Sequence, residues 1–185
     1  MTAGAAGSGA GPRPGDEASD RPPIALIGPM AAGKTSLGRK LASRIGRTFA
    51  DTDRLVVLEH GPIPEIFAAH GEAAFRRWEA EAVQRALVPG TVVALGGGAV
   101  LDEGSRELLR SATVVLVTVD ERAAERRLGG GGRPLVADGI DAWRRIATER
   151  EPLYRSLADV TVDTSRTPMA RLLDELQAWL AEREL

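Results

Sequence analysis

The chain has 185 residues, which is enough for one α/β domain with a sizeable core. Its 24 basic and 26 acidic residues leave a net charge of -2, so no basic excess favours a nucleic-acid partner or an anionic membrane surface. There is no cysteine, which excludes disulfides, thiolate metal sites and thiol nucleophiles. No apolar stretch approaches the ~20 residues that span a bilayer, and no signal-peptide hydrophobic region is present. We therefore expect a cytoplasmic protein that binds neither nucleic acid nor membrane.

The first 20 residues predict a disordered tail. They are Gly, Ala, Ser, Pro and charged residues without periodicity, and such a segment buries too little apolar area to offset its ordering entropy. A passive tail is favoured over a regulatory one. The folded domain is expected to span residues 21–185.

Residues 28–35 read GPMAAGKT, which is the G-x-x-x-x-G-K-T pattern of a phosphate-binding loop. The apolar run at residues 23–27 predicts a strand before the loop, and Gly46 suits the C-cap of a helix after it. That helix is supported by apolar residues at helical spacing, namely Leu37, Leu41, Ala42 and Ile45. Backbone N–H groups and the helix dipole then attract an anion, Lys34 reaches its terminal phosphates, and Thr35 holds Mg²⁺. The alternative is an ordinary strand-to-helix turn.

A second strand is predicted at residues 48–50, and two carboxylates follow it. Asp51 and Asp53 stand at i and i+2, where the carboxyl end of a parallel strand lies beside the ligand. One of them can serve a metal and the other a substrate. The alternative is a polar loop in which Asp53 caps the next helix, and the spacing alone leaves both interpretations open.

Two short helices are predicted at residues 64–70 and 72–87, on either side of Gly71. Arg76 and Glu79 stand at i and i+3 on the second helix. That spacing predicts a surface ion pair worth only ~0.2–0.5 kcal/mol. Without further context, this surface pair is the favoured interpretation of both residues.

The rest of the chain continues the alternation of strands and helices. Strands are predicted at residues 91–95, 113–119 and 160–162, and helices at residues 102–110, 141–157 and 172–180, with a further helix that Asp120 caps and that ends near Leu128. Glycines at residues 96–98 either admit a close ligand or form a flexible loop. Four glycines at residues 129–132, with Arg133 beside them, predict a mobile lid over nucleotide, or else a floppy surface loop. The alternation predicts one parallel, doubly wound, five-stranded α/β sheet.

In combination, these motifs resemble the shikimate kinases, small P-loop enzymes that phosphorylate the 3-hydroxyl of shikimate with ATP. The resemblance runs from about Pro23 to the C-terminus. Its patterns are GPMxAGKT at residues 28–35, DTD at 51–53, GExxFRxxE at 71–79, LGGGAV at 95–100, RPL at 133–135, RxPLY at 150–154 and VDT at 162–164. Other P-loop kinases share the first pattern but not this set. The resemblance implies a P-loop nucleoside monophosphate kinase-like, three-layer α/β/α fold, a monomer, and a step in the pathway to aromatic amino acids.

The resemblance also implies roles for individual residues. ATP would bind Ala31, Ala32, Gly33, Lys34, Thr35, Ser36, Arg126, Arg133, Arg166 and Pro168, with Arg126 and residues 166–168 flanking the adenine. Shikimate would bind Asp53, Arg76, Gly97, Gly98 and Arg150. Thr35 and Asp51 would hold Mg²⁺, and the catalytic residues would be Lys34, Asp53 and Arg133. Substrate-binding helices would span about residues 54–87 and a lid about residues 129–140.

Two features depart from the family pattern. Ala31 replaces a glycine common in the loop, which places a methyl group near the phosphates, and the lid is unusually rich in glycine. Neither departure removes a catalytic group. The alternatives are a P-loop kinase of another small polyol acid, such as gluconate, and a nucleotide-binding module without catalysis. The joint presence of Lys34, Asp51, Asp53 and Arg133 argues against the module.

Overall fold

A computed structural model describes residues 20–128 and 139–183, in which five strands alternate with seven α-helices. The strands are β1 (Ile24–Ile27), β2 (Thr48–Asp51), β3 (Thr91–Ala94), β4 (Thr113–Thr118) and β5 (Val160–Asp163). The helices are α1 (Lys34–Ile45), α2 (Thr52–His60), α3 (Ile63–Ala86), α4 (Glu103–Leu109), α5 (Glu121–Leu128), α6 (Gly139–Leu157) and α7 (Met169–Arg183). The predicted tail, except its last residue, and the predicted lid up to residue 138 lie outside the described residues.

All strands pair in parallel, in the order β2-β3-β1-β4-β5. The central strand β1 pairs Leu26 with Ala94 of β3 on one side and with Val115 of β4 on the other. Every residue of β1 and β3 is buried, as the continuous apolar sequence of a strand covered on both faces requires. The predicted five-stranded, parallel, doubly wound sheet is confirmed.

Helices cover both faces of the sheet and give it three layers. Leu26 packs in one apolar cluster with Leu41 of α1 and Leu176 of α7. Its neighbour Ile27 points the opposite way and packs with Val83 of α3. Because successive strand residues face opposite sides, the two halves of the core are built from alternating positions of the same strands.

The helices α2 and α3 also form a small apolar cluster of their own. Val56 of α2 packs there with Ile66, Phe75 and Ala82 of α3. Gly71 (φ 75°) interrupts α3, so the two short helices predicted around it are one element with a kink. These two helices correspond to the segment, about residues 54–87, that is predicted to bind substrate.

Other local signals behave as the sequence predicts. Gly46 adopts a left-handed conformation (φ 69°) and ends α1. Asp120 caps α5 by accepting a hydrogen bond from the Ala123 amide at 2.7 Å. In the described ranges, no helix combines the length and the apolar character needed to cross a bilayer.

The alternative in which a polar loop follows β2 and Asp53 caps the next helix is wrong. The carboxylate of Asp51 caps α2 by accepting from the Arg54 amide at 3.1 Å. Since α2 starts directly after β2, no polar loop separates them, and Asp53 lies in the first turn of the helix. Several predicted boundaries also differ by one to three residues; for example, β3 ends at Ala94, and α6 begins at Gly139, inside the segment predicted as a lid.

Candidate active site

Loops at the carboxyl ends of β1, β2 and β3 enclose a crevice of about 320 Å³. The helix after β1 and the helix after β3 pack on opposite faces of the sheet, and ligands bind in the gap that such divergent connections leave. Most predicted site residues line this crevice: Ala31, Gly33, Lys34, Thr35, Ser36, Asp51, Asp53, Arg76, Gly97, Gly98 and Arg150. We call residues 28–36 with Asp51 the loop half. The arginine half comprises Asp53, Arg76, Glu79, Gly96, Gly97, Gly98, Arg150 and Tyr154.

Five predicted site residues do not line the crevice. Ala32 is fully buried behind the loop. Arg126, Arg166 and Pro168 are exposed outside it, which leaves them at an open surface. Arg133 lies outside the described residues.

The loop half is built on backbone geometry. Gly28 (φ 133°) packs so closely that a Cβ there would lie 2.2 Å from the Val117 carbonyl oxygen, so only glycine fits. Lys34 turns back over the loop and donates to the carbonyls of Gly28 and Pro29, each at 2.8 Å. Because α1 begins at Lys34, its N-terminal amides and dipole face the crevice and favour an anion there.

The departure at Ala31 is visible in the backbone. Ala31 adopts φ 63°, a left-handed conformation that suits the glycine common at this position. The loop therefore keeps its shape despite the methyl group. An alanine in this conformation costs ~1 kcal/mol.

Two oxygen-bearing side chains meet beside the loop. The Thr35 hydroxyl donates to Asp51 Oδ2 at 2.6 Å, while the other carboxylate oxygen of Asp51 caps α2. In the described residues, no group of three or more His, Cys, Asp or Glu side chains could hold a metal alone. A hydroxyl and one carboxylate nevertheless fit Mg²⁺, which prefers hard oxygen donors and takes its remaining ligands from water and substrate phosphates.

In the arginine half, the ion pair of Arg76 and Glu79 forms, but it is not on the surface. Their side chains meet at 2.7 Å, with Glu79 only 3% exposed and Arg76 22% exposed. Arg76 also reaches Glu72 at 3.0 Å. Burial raises the pKa of Glu79 above its ordinary value, against the opposing effect of Arg76. The surface-pair interpretation is therefore wrong, because α3 turns this face toward the crevice.

The glycines after β3 are required by the side chains that crowd them. A Cβ on Gly96 would lie 2.2 Å from Glu79 Oε1 and 2.6 Å from Asp53 Oδ1. A Cβ on Gly98 would lie 2.0 Å from Arg76 Nη1. The three charged side chains thus converge on the glycine turn, which rules out the flexible-loop alternative.

Helix α6 completes the arginine half from the other side. Arg150 donates to the Gly97 carbonyl at 3.1 Å, and the Tyr154 hydroxyl donates to the same oxygen. Burial raises the pKa of the Tyr154 hydroxyl, so it stays a donor. Arg76 and Arg150, from two distant helices, therefore reach neighbouring glycines of one turn.

The sequence missed several residues of this crevice. Tyr154 follows Arg150 at i+4, so helical spacing offered a signal that the two share a face. Trp143 and Arg127 also line the crevice, yet they bond to loop residues 113 and 96 positions away. No local pattern reports contacts of that range.

Comparison with known proteins shows which family this chain is similar to. A family model described as shikimate kinase matches residues 30–181. A shikimate kinase from Mycobacterium avium (strain 104) is 45% identical over 150 residues, covering 78% of this chain and 85% of the relative. The solved structure of shikimate kinase from Acinetobacter baumannii in complex with shikimate has a TM-score of 0.85 and 31% identity, covering 92% of this chain and 99% of that one.

A gluconokinase from Sinorhizobium meliloti 1021 is also similar in structure. Its TM-score is 0.60 at 21% identity, covering 89% of this chain and 93% of that one. At this identity the likeness shows a shared fold and says nothing of a shared substrate.

Proposed function

The chain belongs to the shikimate kinase family and is an ATP-dependent kinase of shikimate, and from this premise we propose which half of its crevice binds each substrate. The reaction transfers the γ-phosphoryl group of ATP to the 3-hydroxyl of shikimate. One observation carries the proposal: a phosphate-binding loop with Lys34 faces Asp53 and two arginines in a single crevice. The two sides suit the two substrates, a polyphosphate and a hydroxylated carboxylic acid.

The loop half would bind the phosphates of ATP. Loop amides and the N-terminus of α1 supply partial positive charge, and Lys34 adds a full one. In this assignment Lys34 would exchange the carbonyls of Gly28 and Pro29 for phosphate oxygens. Arg126, Arg166 and Pro168 would meet the adenine at the open edge, as the resemblance implies.

Thr35 and Asp51 would hold Mg²⁺ through their hydroxyl and carboxylate oxygens. The bound ion neutralises charge on the phosphate oxygens during transfer. The chain's own contribution is to hold these two oxygens at the end of β2 and the start of α1, where they are already hydrogen-bonded.

The arginine half would bind shikimate. Arg76 and Arg150 would grip its carboxylate by charge-assisted bonds, with Glu79 holding the Arg76 guanidinium from behind. Asp53 would orient the 3-hydroxyl and accept its proton. Gly97 and Gly98 have no side chains of their own, so the ring can approach their backbone beside the Arg76 guanidinium.

The transfer itself needs position and charge more than covalent chemistry. The 3-hydroxyl oxygen bonds to the γ-phosphorus while the bond between that phosphorus and the β–γ bridging oxygen breaks, and ADP leaves. The hydroxyl proton goes to Asp53. Lys34 stabilises the charge on the transferring group, and Arg133 would add to this from the predicted lid, so Arg133→Ala should mainly lower kcat.

An ADP-release assay tests the function directly. Release should be fast with shikimate and slow with gluconate or with no acceptor. Equal rates with gluconate would identify a kinase of broader polyol-acid specificity. Binding of ATP without release under any condition would identify a nucleotide-binding module. A cytoplasmic location, a monomeric state, and domain limits at residues 21–185 with a disordered tail stay predictions.

A further inference from the structure

Side chains from three separate elements bind the back of the phosphate loop. Each donates to the carbonyl oxygen of one of three consecutive loop residues. The pairs are Trp143 Nε1 to Met30 O (2.9 Å), Arg127 Nη1 to Ala31 O (2.9 Å) and Thr164 Oγ1 to Ala32 O (2.8 Å). The donors come from α6, from α5 and from the residue after β5, so the loop is held by tertiary structure and not only by its own sequence.

These bonds fix the direction of loop amides. In a planar trans peptide, the carbonyl of one residue and the N–H of the next point in opposite directions. A bond to the Met30 carbonyl therefore aims the Ala31 N–H, and a bond to the Ala32 carbonyl aims the Gly33 N–H. Ala31 and Gly33 line the crevice, whereas Ala32 between them is fully buried. The two aimed amides belong to the residues that face the phosphate site.

The backbone here needs such support. Ala31 (φ 63°) and Gly33 (φ 89°) are both left-handed, and alternation of this kind makes a concave nest of N–H groups that binds anions. Alanine disfavours this conformation, because its Cβ crowds the neighbouring carbonyl. External bonds to the neighbouring carbonyls favour the strained conformation over relaxed alternatives.

Two of the three donors belong to buried residues. Trp143 is 6% exposed and Thr164 is 7% exposed. Thr164 has one hydroxyl proton, with the Ala32 carbonyl at 2.8 Å and the Thr118 carbonyl at 3.1 Å, and it accepts from Arg127 at 2.9 Å. Arg127 and Thr164 therefore act together, while Trp143 binds the loop separately from α6.

We propose that Trp143 and Thr164 are positioning residues for nucleotide, which hold the Ala31 and Gly33 amides toward the phosphates of ATP. Both act through their hydrogen bonds to the loop carbonyls. This inference rests on the assignment of the loop to ATP phosphates. It predicts an effect on nucleotide affinity that leaves shikimate affinity unchanged.

The test begins with Trp143→Phe, which keeps an aromatic ring in the core and removes the N–H donor. Calorimetric titration should show a non-hydrolysable ATP analogue bound about three- to tenfold more weakly, with shikimate affinity unchanged. The matched control is Trp179→Phe on α7, outside the crevice, which should leave both affinities unchanged. Equal weakening of both ligands in Trp143→Phe, or the same loss in the control, would overturn the inference.

A second pair of variants decides the matter if Trp143→Phe fails to fold. Thr164→Val keeps the shape of the side chain and removes the hydroxyl, whereas Thr164→Ser restores the hydroxyl. We expect weaker analogue binding in the valine variant and recovery in the serine variant, and loss of analogue binding in both or in neither would contradict the proposal. Lys34→Ala separates this inference from its premise: unchanged analogue affinity there would reject the phosphate assignment itself. If Lys34→Ala loses affinity for the ATP analogue while Trp143→Phe and Thr164→Val keep it, only the positioning role is rejected.

Discussion

The two halves of the crevice are held together by different kinds of contact. In the loop half, side chains bind backbone carbonyls, as Lys34 does with Gly28 and Pro29. In the arginine half, Arg150 also binds a backbone carbonyl, but here two largely buried charged side chains bind each other, as Arg76 does with Glu79 at 2.7 Å. A phosphate site formed by backbone groups depends on the conformation of the loop. A carboxylate site formed by arginines depends on which buried charges are paired.

The difference predicts how each half fails. Removing a cation from the loop half takes away ligand binding while leaving carbonyls that the loop and solvent can satisfy. Removing a partner from the arginine half leaves a charge without its pair in a place with little water, which is strongly destabilising when it occurs. Variants in the loop half should therefore lose nucleotide binding and activity while keeping stability. Variants in the arginine half should lose shikimate binding and, where a buried charge loses its partner, stability.

The largest effect is expected for Lys34→Ala. The lost cation would face phosphate, so kcat/KM should fall by about a hundredfold or more while the melting temperature stays near that of the wild type. Steady-state kinetics and thermal melting measure the two quantities. The matched control is Lys40→Ala, an exposed lysine on the same helix, which should keep full activity. More than about a tenth of wild-type kcat/KM in Lys34→Ala would remove the residue from the phosphate site.

The next largest effect is expected for the two arginines. Arg150→Ala and Arg76→Ala should each weaken shikimate binding by about ten- to a hundredfold, because charge-assisted bonds are worth roughly 1.5–3 kcal/mol each. Binding of an ATP analogue should hardly change. Calorimetry with each ligand makes the measurement, and Arg77→Ala, the exposed neighbour of Arg76, is the control.

Arg76→Ala also leaves Glu79 buried without its main partner. The melting temperature of this variant should therefore fall. The double variant Arg76→Ala/Glu79→Gln should recover stability but not shikimate affinity. Wild-type shikimate affinity in Arg76→Ala would mean that the pair is only structural. The distinction between the halves would then rest on Arg150 alone.

A smaller effect is expected for Gly98→Ala. Its Cβ would lie 2.0 Å from Arg76 Nη1, so the guanidinium must move, and it can do so because it ends a flexible side chain. Shikimate affinity should fall by about tenfold or less, with ATP-analogue affinity kept in the same variant. Should both affinities fall together, the two halves would not be independent.

The smallest effect concerns Glu79 and pH. Burial raises the pKa of Glu79 in the folded state above its ordinary value of 4.5, so the folded protein binds this proton more readily than the unfolded chain does. The resulting stability is present below the unfolded pKa and is lost as pH rises through the folded pKa. Denaturant unfolding from about pH 4 to about pH 8 should show the wild type losing stability relative to Glu79→Gln. If the free energy of unfolding of the wild type, relative to that of Glu79→Gln, stays constant or rises with pH, the raised pKa of Glu79 is contradicted.

Local patterns were enough for the elements that depend on neighbours in the chain. The glycines and lysine of residues 28–35, set between a strand and a helix, predicted the phosphate loop because the contacts of Lys34 with Gly28 and Pro29 lie within a few residues. Gly46 and Asp120 predicted a helix end and a cap for the same reason, and Gly71 predicted a break between two helices at the place where α3 has its kink. The separated motifs also predicted, through their family resemblance, eleven of the residues that line the crevice.

By itself, then, the sequence determined the alternating elements, the phosphate loop and the family. Only the tertiary structure decided that Arg76 and Glu79 lie buried, although their i, i+3 spacing looks the same on an exposed face. Only the tertiary structure brought Trp143 to the Met30 carbonyl, 113 positions away. Burial and long-range hydrogen bonds depend on how helices pack across the sheet, and helical or strand periodicity contains no information about that packing partner.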